Sequence, residues 1–333
     1  MRFLQRPLWA IVGLSLYAIP SLAQNPAPPA PAAAPNAVAA IVNEQAIPET
    51  AVQRSLQRVP PAKQAEARPQ VINFLIDQAL MDQFLVAQKI NIDPKEIDNA
   101  INEMKTDLKK ENKDFAKELE SAKLTEAELR EHILADLRWG KYAEERASDK
   151  ALKELFDTQK YLFDGSMLRA RHILLTPASN EPAVAEQTVA QLQAIKLEIT
   201  KQVADGLAKL PADTDNLTRE KKRQALLDEA FAAQAKAKSG CPSKEKGGDV
   251  DWFQGGGMVE PFARAAFALK PFEMSEPVKT PFGYHLILLT DRKPGRDVKF
   301  EDVKEMVKEH YCMMLHNSII AEIRQRSKIV INK

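Results

Sequence analysis

The sequence predicts an α+β fold in which a helical module built from both ends of the chain encloses a smaller, sheet-containing domain. Three observations carry this reading. Apolar residues recur at helical spacing as far as about Gln159, and the pattern then changes at Leu168, where LRARHILLT alternates and runs apolar as a strand does. Six of the twelve glycines fall between Gly240 and Gly257, in GCPSKEKGGDVDWFQGGG, inside a chain otherwise rich in helix formers. The tail from Phe300 reads as one helix that, at ~1.5 Å per residue, reaches roughly 40 Å, longer than a small domain covers.

The first segment stands apart from the fold. MRFLQR is basic, PLWAIVGLSLYAIP is apolar but short for a span, and SLA offers small residues at Ser21 and Ala23. Residues 1–23 therefore read as a secretory signal peptide cleaved after Ala23. The net charge of the whole chain is +1, and removing Arg2 and Arg6 leaves 45 basic against 46 acidic residues. So balanced a chain has no global field for nucleic acid or an anionic membrane, and two cysteines make no disulfide framework. QNPAPPAPAAAPN continues as a Pro/Ala-rich linker over 24–37 with little to bury.

Order begins at VAAIVNEQAIPE, read as strand, turn and helix entry at Pro48. The run VINFLIDQALMDQFLVAQ is apolar on nearly every side, which requires several packing neighbours. Asp93-Pro94-Lys95-Glu96 and Thr125 with Glu128 are capping boxes that open two further helices. After the first strand come a long helical stretch, the glycine-rich segment, a helix around FARAAFAL, and PVKTPFGYHLILLTDRK as a turn into a last strand. The tail is apolar at Val303, Met306, Val307, Leu315, Ile319 and Ile323, and the N-terminal helices are the surface available to it. The chain is accordingly divided at 38–165 (helical region), 166–293 (α+β domain) and 294–333 (C-terminal helix and short strand packing on the N-terminal region).

Two of the five histidines, His172 and His285, sit in the middle of strand patterns. A polar ring there needs a hydrogen-bonding partner. With Cys241, they are placed to form a polar cluster on one sheet face. Cys312 and His316 share i, i+4 spacing, but no third or fourth ligand follows, and no metal site is expected.

These residues carry a resemblance. HILL, then CPS…GGD…WF…G.MV..F..AAF.L, then PV.T.FGYH, in that order over about Leu168 to Arg292, resembles the parvulin peptidyl-prolyl isomerases. The flanking regions, through VNEQAIPE, the apolar helix and the terminal KIVIN, resemble the exported SurA- and PrsA-like foldases. The resemblance implies a parvulin domain with a four-stranded sheet and surrounding helices, inserted in a SurA-N-like chaperone module. It implies that His172, Cys241 and His285 form a polar floor supported by Thr280. It implies, too, that Val250, Met258, Phe262 and Phe282 line a proline pocket. No cofactor is called for. Cys241 is read as a hydrogen-bonding element, because rotation about an X–Pro bond breaks no covalent bond. The expected substrates are unfolded or partly folded exported polypeptides containing X–Pro bonds, in the periplasm of a Gram-negative bacterium, with no nucleic acid, no metal and no membrane span after signal cleavage. The competing reading is a periplasmic chaperone whose parvulin domain is catalytically weak and serves as a peptide-binding module.

Two departures from the family pattern stand out. GGDVDWF places Asp251 where glycine is usual, a position that Asp tolerates if φ is positive. The interval between His172 and Cys241 holds extra sequence, KLPADTDNLTREKKRQALLDE, expected on the helical side of the domain. No Lys or Arg occurs from His172 through Ile195, which argues against a phosphoserine-proline preference.

Overall fold

A computed structural model describes residues 37–57, 59–122, 124–179 and 181–332. The expected signal peptide and, apart from Ala37, the Pro/Ala-rich linker lie outside the described residues. The chain forms two compact units: residues up to Ala151 together with those from Lys308 on, and Leu152–Val307.

In the first unit, β1 (Val38–Val42) and β2 (Gln45–Pro48) form a hairpin whose two turn residues, Asn43 and Glu44, have φ of 47° and 74°. A two-residue turn with both φ positive matches the twist of the flanking strands. β1 also pairs antiparallel with β8 (Ile329–Ile331), with Ile41 opposite Val330, so strands from the two ends of the chain share one sheet. Ala40, Val42 and Ile47 bury their side chains against α1 (Glu49–Leu56) and α2 (Gln64–Ala87). The near-continuous apolar run of α2 is explained by that company: Val71, Ile76, Leu80 and Leu85 pack with Tyr142, Ile319 and Ile320 from more distant segments. Both capping boxes form, opening α3 (Pro94–Lys110) and, beyond α4 (Phe115–Ser121), α5 (Glu126–Arg146). Ile97, Ile101, Leu129 and Ile133 make a separate small core there.

The second unit begins within α6 (Asp149–Thr158), earlier than the change of strand pattern suggested, and it extends to Val307. The reason is aromatic: Phe156 packs on Phe163 and Phe300, and Tyr161 stacks on Phe267 at 4.2 Å. Helical spacing says that such a segment is a helix but not which body it joins. The sheet contains β3 (Met167–Leu175), β4 (Asp249–Gln254), β5 (Glu273–Met274), β6 (Val278–Thr280) and β7 (Gly283–Lys293), all paired antiparallel. Its order is β4-β3-β7-β5, with β6 also on β7, so five strands occupy four positions. The edge is split because Pro277 has no N–H to give the ladder. Ser275 bridges the gap, its hydroxyl accepting the Ile287 N–H at 3.0 Å.

One sheet face carries Ile173, Leu286 and Leu288 under α7 (Pro182–Leu207) and α8 (Asn216–Lys238). The extra sequence thus forms the turn into α8 and its first half, and Arg171 ties α8 to the sheet through both Asp228 oxygens at 2.6 and 3.0 Å. The opposite face carries Leu168, Ala170, Ile287 and Leu289 under α9 (Glu260–Ala268). α10 (Phe300–Arg326) completes the element order before β8. Along α10, Val303, Val307 and Ile319 are buried, whereas Met306 is 51 % exposed, contrary to its place in the expected apolar stripe. Among the described residues no helix is long and apolar enough to cross a membrane.

Candidate active site

Strand alternation decides where the two histidines point. His172 shares its side of β3 with Leu168 and Ala170, and His285 shares its side of β7 with Ile287 and Leu289. Both therefore face α9. The rings lie 5.1 Å apart and nearly parallel at 14°, and the Phe262 ring stands edge-on to both at 5.6 and 5.4 Å. Only 6 % of His172 and 4 % of His285 is exposed.

Burial at a central sheet position is tolerated because every ring nitrogen has a partner. His172 Nδ1 and His285 Nδ1 are 2.9 Å apart, so one of them donates and the other accepts. His285 Nε2 lies 2.8 Å from Thr280 Oγ1, and His172 Nε2 lies 3.0 Å from Ser243 Oγ. The result is a four-member chain, Thr280–His285–His172–Ser243, with a hydroxyl at each end. Burial pushes both imidazoles down to about 4, and for His285 the facing His172 adds to the shift. Both rings are neutral at neutral pH.

The apolar side of the site is built from the glycine-rich segment. Gly248 has φ of 80°, and a Cβ there would stand 2.4 Å from the His172 carbonyl oxygen. Only glycine lets this segment pass so close to β3, where the His172 N–H donates to the Gly248 carbonyl at 2.9 Å. β4 then bulges: Arg169 pairs with Trp252 and Arg171 with Asp249, leaving Val250 and Asp251 opposite Ala170 alone. Asp251 has φ of 60°, the left-handed conformation that such a bulge takes, and its N–H is held by the Asp249 carboxylate at 2.9 Å. The bulge re-aims Val250 into the α9 side, where Val250 and Met258 pack around Phe262, Phe253 and Ala266. A hollow of about 390 Å³ is lined by Pro242, Ser243, Val250 and Asp251, with Arg169 and Glu245 among the charged residues at its rim.

The structure thus brings His172, His285, Thr280 and Phe262 into direct contact and places Val250 and Met258 in the same apolar cluster. Phe282 stands apart from that cluster. It sits at the tip of the β6–β7 hairpin, 61 % exposed, its N–H donating to Thr280 Oγ1 and its carbonyl accepting from Thr176. Cys241 lies half-buried at the entry to the short turn Pro242–Lys246, its N–H on Ser239 Oγ at 3.2 Å. Among the described residues its thiol makes no hydrogen bond to either histidine; Ser243, two positions on, makes that contact. Sequence reasoning passed over Ser243 because a serine after proline in a glycine-rich segment reads as a turn residue.

Residues 207–291 match the PPIC-type PPIase domain family, and residues 8–143 match the SurA-like N-terminal domain family. The chain is 29 % identical over 255 residues to the foldase protein PrsA of Caldanaerobacter subterraneus subsp. tengcongensis, covering 76 % of this chain and 65 % of that one. It is 47 % identical over 81 residues to the putative peptidyl-prolyl cis-trans isomerase Cbf2 of Campylobacter jejuni, covering 24 % of this chain and 30 % of that protein. The chain therefore spans less than two thirds of the length of these curated relatives. Among solved structures, peptidylprolyl isomerase PrsA from Bacillus anthracis aligns over 76 % of this chain and 94 % of its own, at 22 % identity and a TM-score of 0.40.

Proposed function

For a chain that carries a PPIC-type peptidyl-prolyl isomerase domain and a SurA-like N-terminal domain, we propose that the activity is X–Pro cis–trans isomerisation joined to a chaperone function on unfolded exported polypeptides. The observation that carries the reading is the neutral histidine pair, buried beneath Phe262 and closed at both ends by hydroxyls.

An X–Pro amide is held planar by a barrier of ~18–20 kcal/mol, because resonance gives its C–N bond partial double-bond character. Uncatalysed exchange takes tens to hundreds of seconds, slow enough to limit folding. Twisting removes the resonance and with it part of the amide dipole. An apolar slot therefore favours the twisted state over the planar one, while water favours the planar one. In this site Phe262, Met258 and Val250 are the residues for the proline ring, and Phe282 at the hairpin tip is the residue for the flanking chain. His172, His285 and Thr280 supply a floor that is polar but uncharged, so no ion has to be desolvated when the ring enters. Cys241 borders the floor without joining its hydrogen bonds. The SurA-like region, whose match at residue 8 begins within the expected signal peptide, supports a chaperone for secreted or outer-membrane proteins in a Gram-negative periplasm.

The test is the isomerisation rate of a proline tetrapeptide. His172→Ala and Phe262→Ala are expected to lower kcat/KM at least tenfold while the rest of the sheet unit stays folded. Equal rates for both variants and wild type would make the domain a peptide-binding arm instead.

A further inference from the structure

We infer that Thr176 is a positioning residue for Phe282: its hydroxyl clasps the tip of the β6–β7 hairpin and holds the Phe282 ring where an apolar residue flanking the substrate proline packs on it. The inference rests on the isomerase reading. Within that reading it adds a residue that the sequence did not single out and a substrate class, X–Pro segments with an apolar neighbour.

The hairpin needs support from outside its own turn. Thr280 pairs with Gly283, which leaves Pro281 and Phe282 as a two-residue connection. The turns that match a hairpin's twist have positive φ at the first of these positions, whereas proline fixes φ at about −65°. The tip is instead held through Phe282, on both sides of its backbone. Its N–H donates to Thr280 Oγ1 at 3.1 Å, and its carbonyl accepts from the Thr176 hydroxyl at 2.9 Å. Thr176 directly follows β3, and Pro177 after it restricts its backbone to extended conformations. Gly283 lets the two segments meet, since a Cβ there would stand 2.5 Å from the Leu175 carbonyl oxygen and 3.0 Å from Thr176 Cα.

The clasp serves an exposed side chain rather than the core. Phe282 is 61 % exposed, and Thr176 is exposed as well. Thr280, which accepts the Phe282 N–H, also lies 2.8 Å from His285 Nε2, so the hairpin tip and the polar floor share one hydroxyl. An aromatic ring fixed this near the floor offers apolar contact area at little cost in conformational entropy. On an unclasped tip the same ring would have to be ordered as the peptide binds, which weakens binding without touching the amide that twists. The peptides that gain from the ring are those with an apolar side chain next to proline.

The test compares the full chain with Thr176→Val, Thr176→Ser and Phe282→Ala on proline tetrapeptides carrying Leu or Ala on either side of the proline. Wild type is expected to favour Leu on one side. For that peptide Thr176→Val should raise KM about fivefold with kcat unchanged, as loss of one hydrogen bond behind a uniform binding contact does. The Ala peptides should be unaffected, Thr176→Ser should restore the preference, and Thr176→Val should add nothing in a Phe282→Ala background. An equal loss on Leu and Ala peptides makes the bond structural only and overturns the positioning role. A wild type without the preference, or a Thr176→Val chain that keeps it, overturns the role too. If wild type isomerises none of the peptides, the isomerase reading falls by itself. Calorimetric affinities for the same peptides then decide the clasp, which requires wild type to bind the Leu peptide more tightly than Thr176→Val does.

Discussion

In the unit that holds β1 and β8, the most buried acid, Glu49, faces Arg68 through both carboxylate oxygens, and that contact holds its pKa below the ordinary value. In the sheet unit the buried polar side chains near the site are His172, His285, Thr280, Ser239 and Ser275, none of them charged at neutral pH. At Glu49 buried polarity is satisfied by an opposite charge, which fixes a geometry; beneath Phe262 it is kept neutral, which leaves a floor that an apolar ring can approach.

The comparison is broken most severely by removing residues 308–333. The helical unit would lose Ile319 and Ile320 from its core and β8 from its sheet. At about 1.5–3 kcal/mol per buried aliphatic side chain, the two isoleucines alone contribute about 3–6 kcal/mol, a large part of the stability of a domain. Calorimetry of the truncated chain is expected to show the helical unit's cooperative transition gone and that of the sheet unit retained. Two intact transitions would mean that the C-terminal segment is dispensable.

Acid separates the two units by a smaller margin. His172 and His285 have folded pKa values near 4, below the unfolded value of 6.5. The unfolded chain therefore binds protons first, and the stability of the sheet unit, fully present above pH 6.5, is lost as pH falls towards 4. Titration of one ring across that window is worth about 3 kcal/mol. In the helical unit, His132 and His316 move in the same direction by less. The contribution of Glu49 is present above its unfolded pKa of 4.5 and is lost only as pH falls through its lower folded value. Urea unfolding at pH 7 and pH 5, followed through Trp139 in one unit and Trp252 in the other, should show the sheet unit losing more. Equal losses would contradict the neutral floor.

The smallest effect concerns backbone strain. The left-handed residues Asn43 and Glu44 occupy a hairpin turn that asks for them, whereas Asp251 lies inside a strand. Asp251→Gly is expected to stabilise the sheet unit by up to about 1 kcal/mol, and Asp251→Val to destabilise it by ~1–2 kcal/mol. Thermal unfolding of the two variants in opposite directions supports the bulge; identical midpoints argue against it.

What the sequence made legible follows the range of the interaction. The capping boxes at Asp93/Glu96 and Thr125/Glu128 are read locally and form locally. His172 and His285 were legible as a pair because strand alternation fixes their face and the ordered motif fixes their company. Ser243 was not, since its role depends on which ring nitrogen lies 3.0 Å away in three dimensions. The exposure of Met306, the split of the sheet edge around Pro277 and the start of the second unit before Tyr161 depend likewise on which body a segment meets. Asp251 lay between these cases: its tolerance of positive φ was foreseeable, but the bulge that demands it is a property of two strands.

The pairing of β1 with β8 also sets an order of events. The hydrogen bond from Asn332 to Val38 closes a span of 294 positions, whereas the sheet unit draws its contacts from one continuous stretch. During synthesis, the inner unit can fold as soon as Val307 has emerged. The outer unit cannot finish until Ile331 has, and the loop that it must close is long. Until then the buried face of β1 and the apolar run of α2 lack their last partners. For that interval this chain is itself an unfinished polypeptide with exposed apolar surface, in the same condition as its proposed clients.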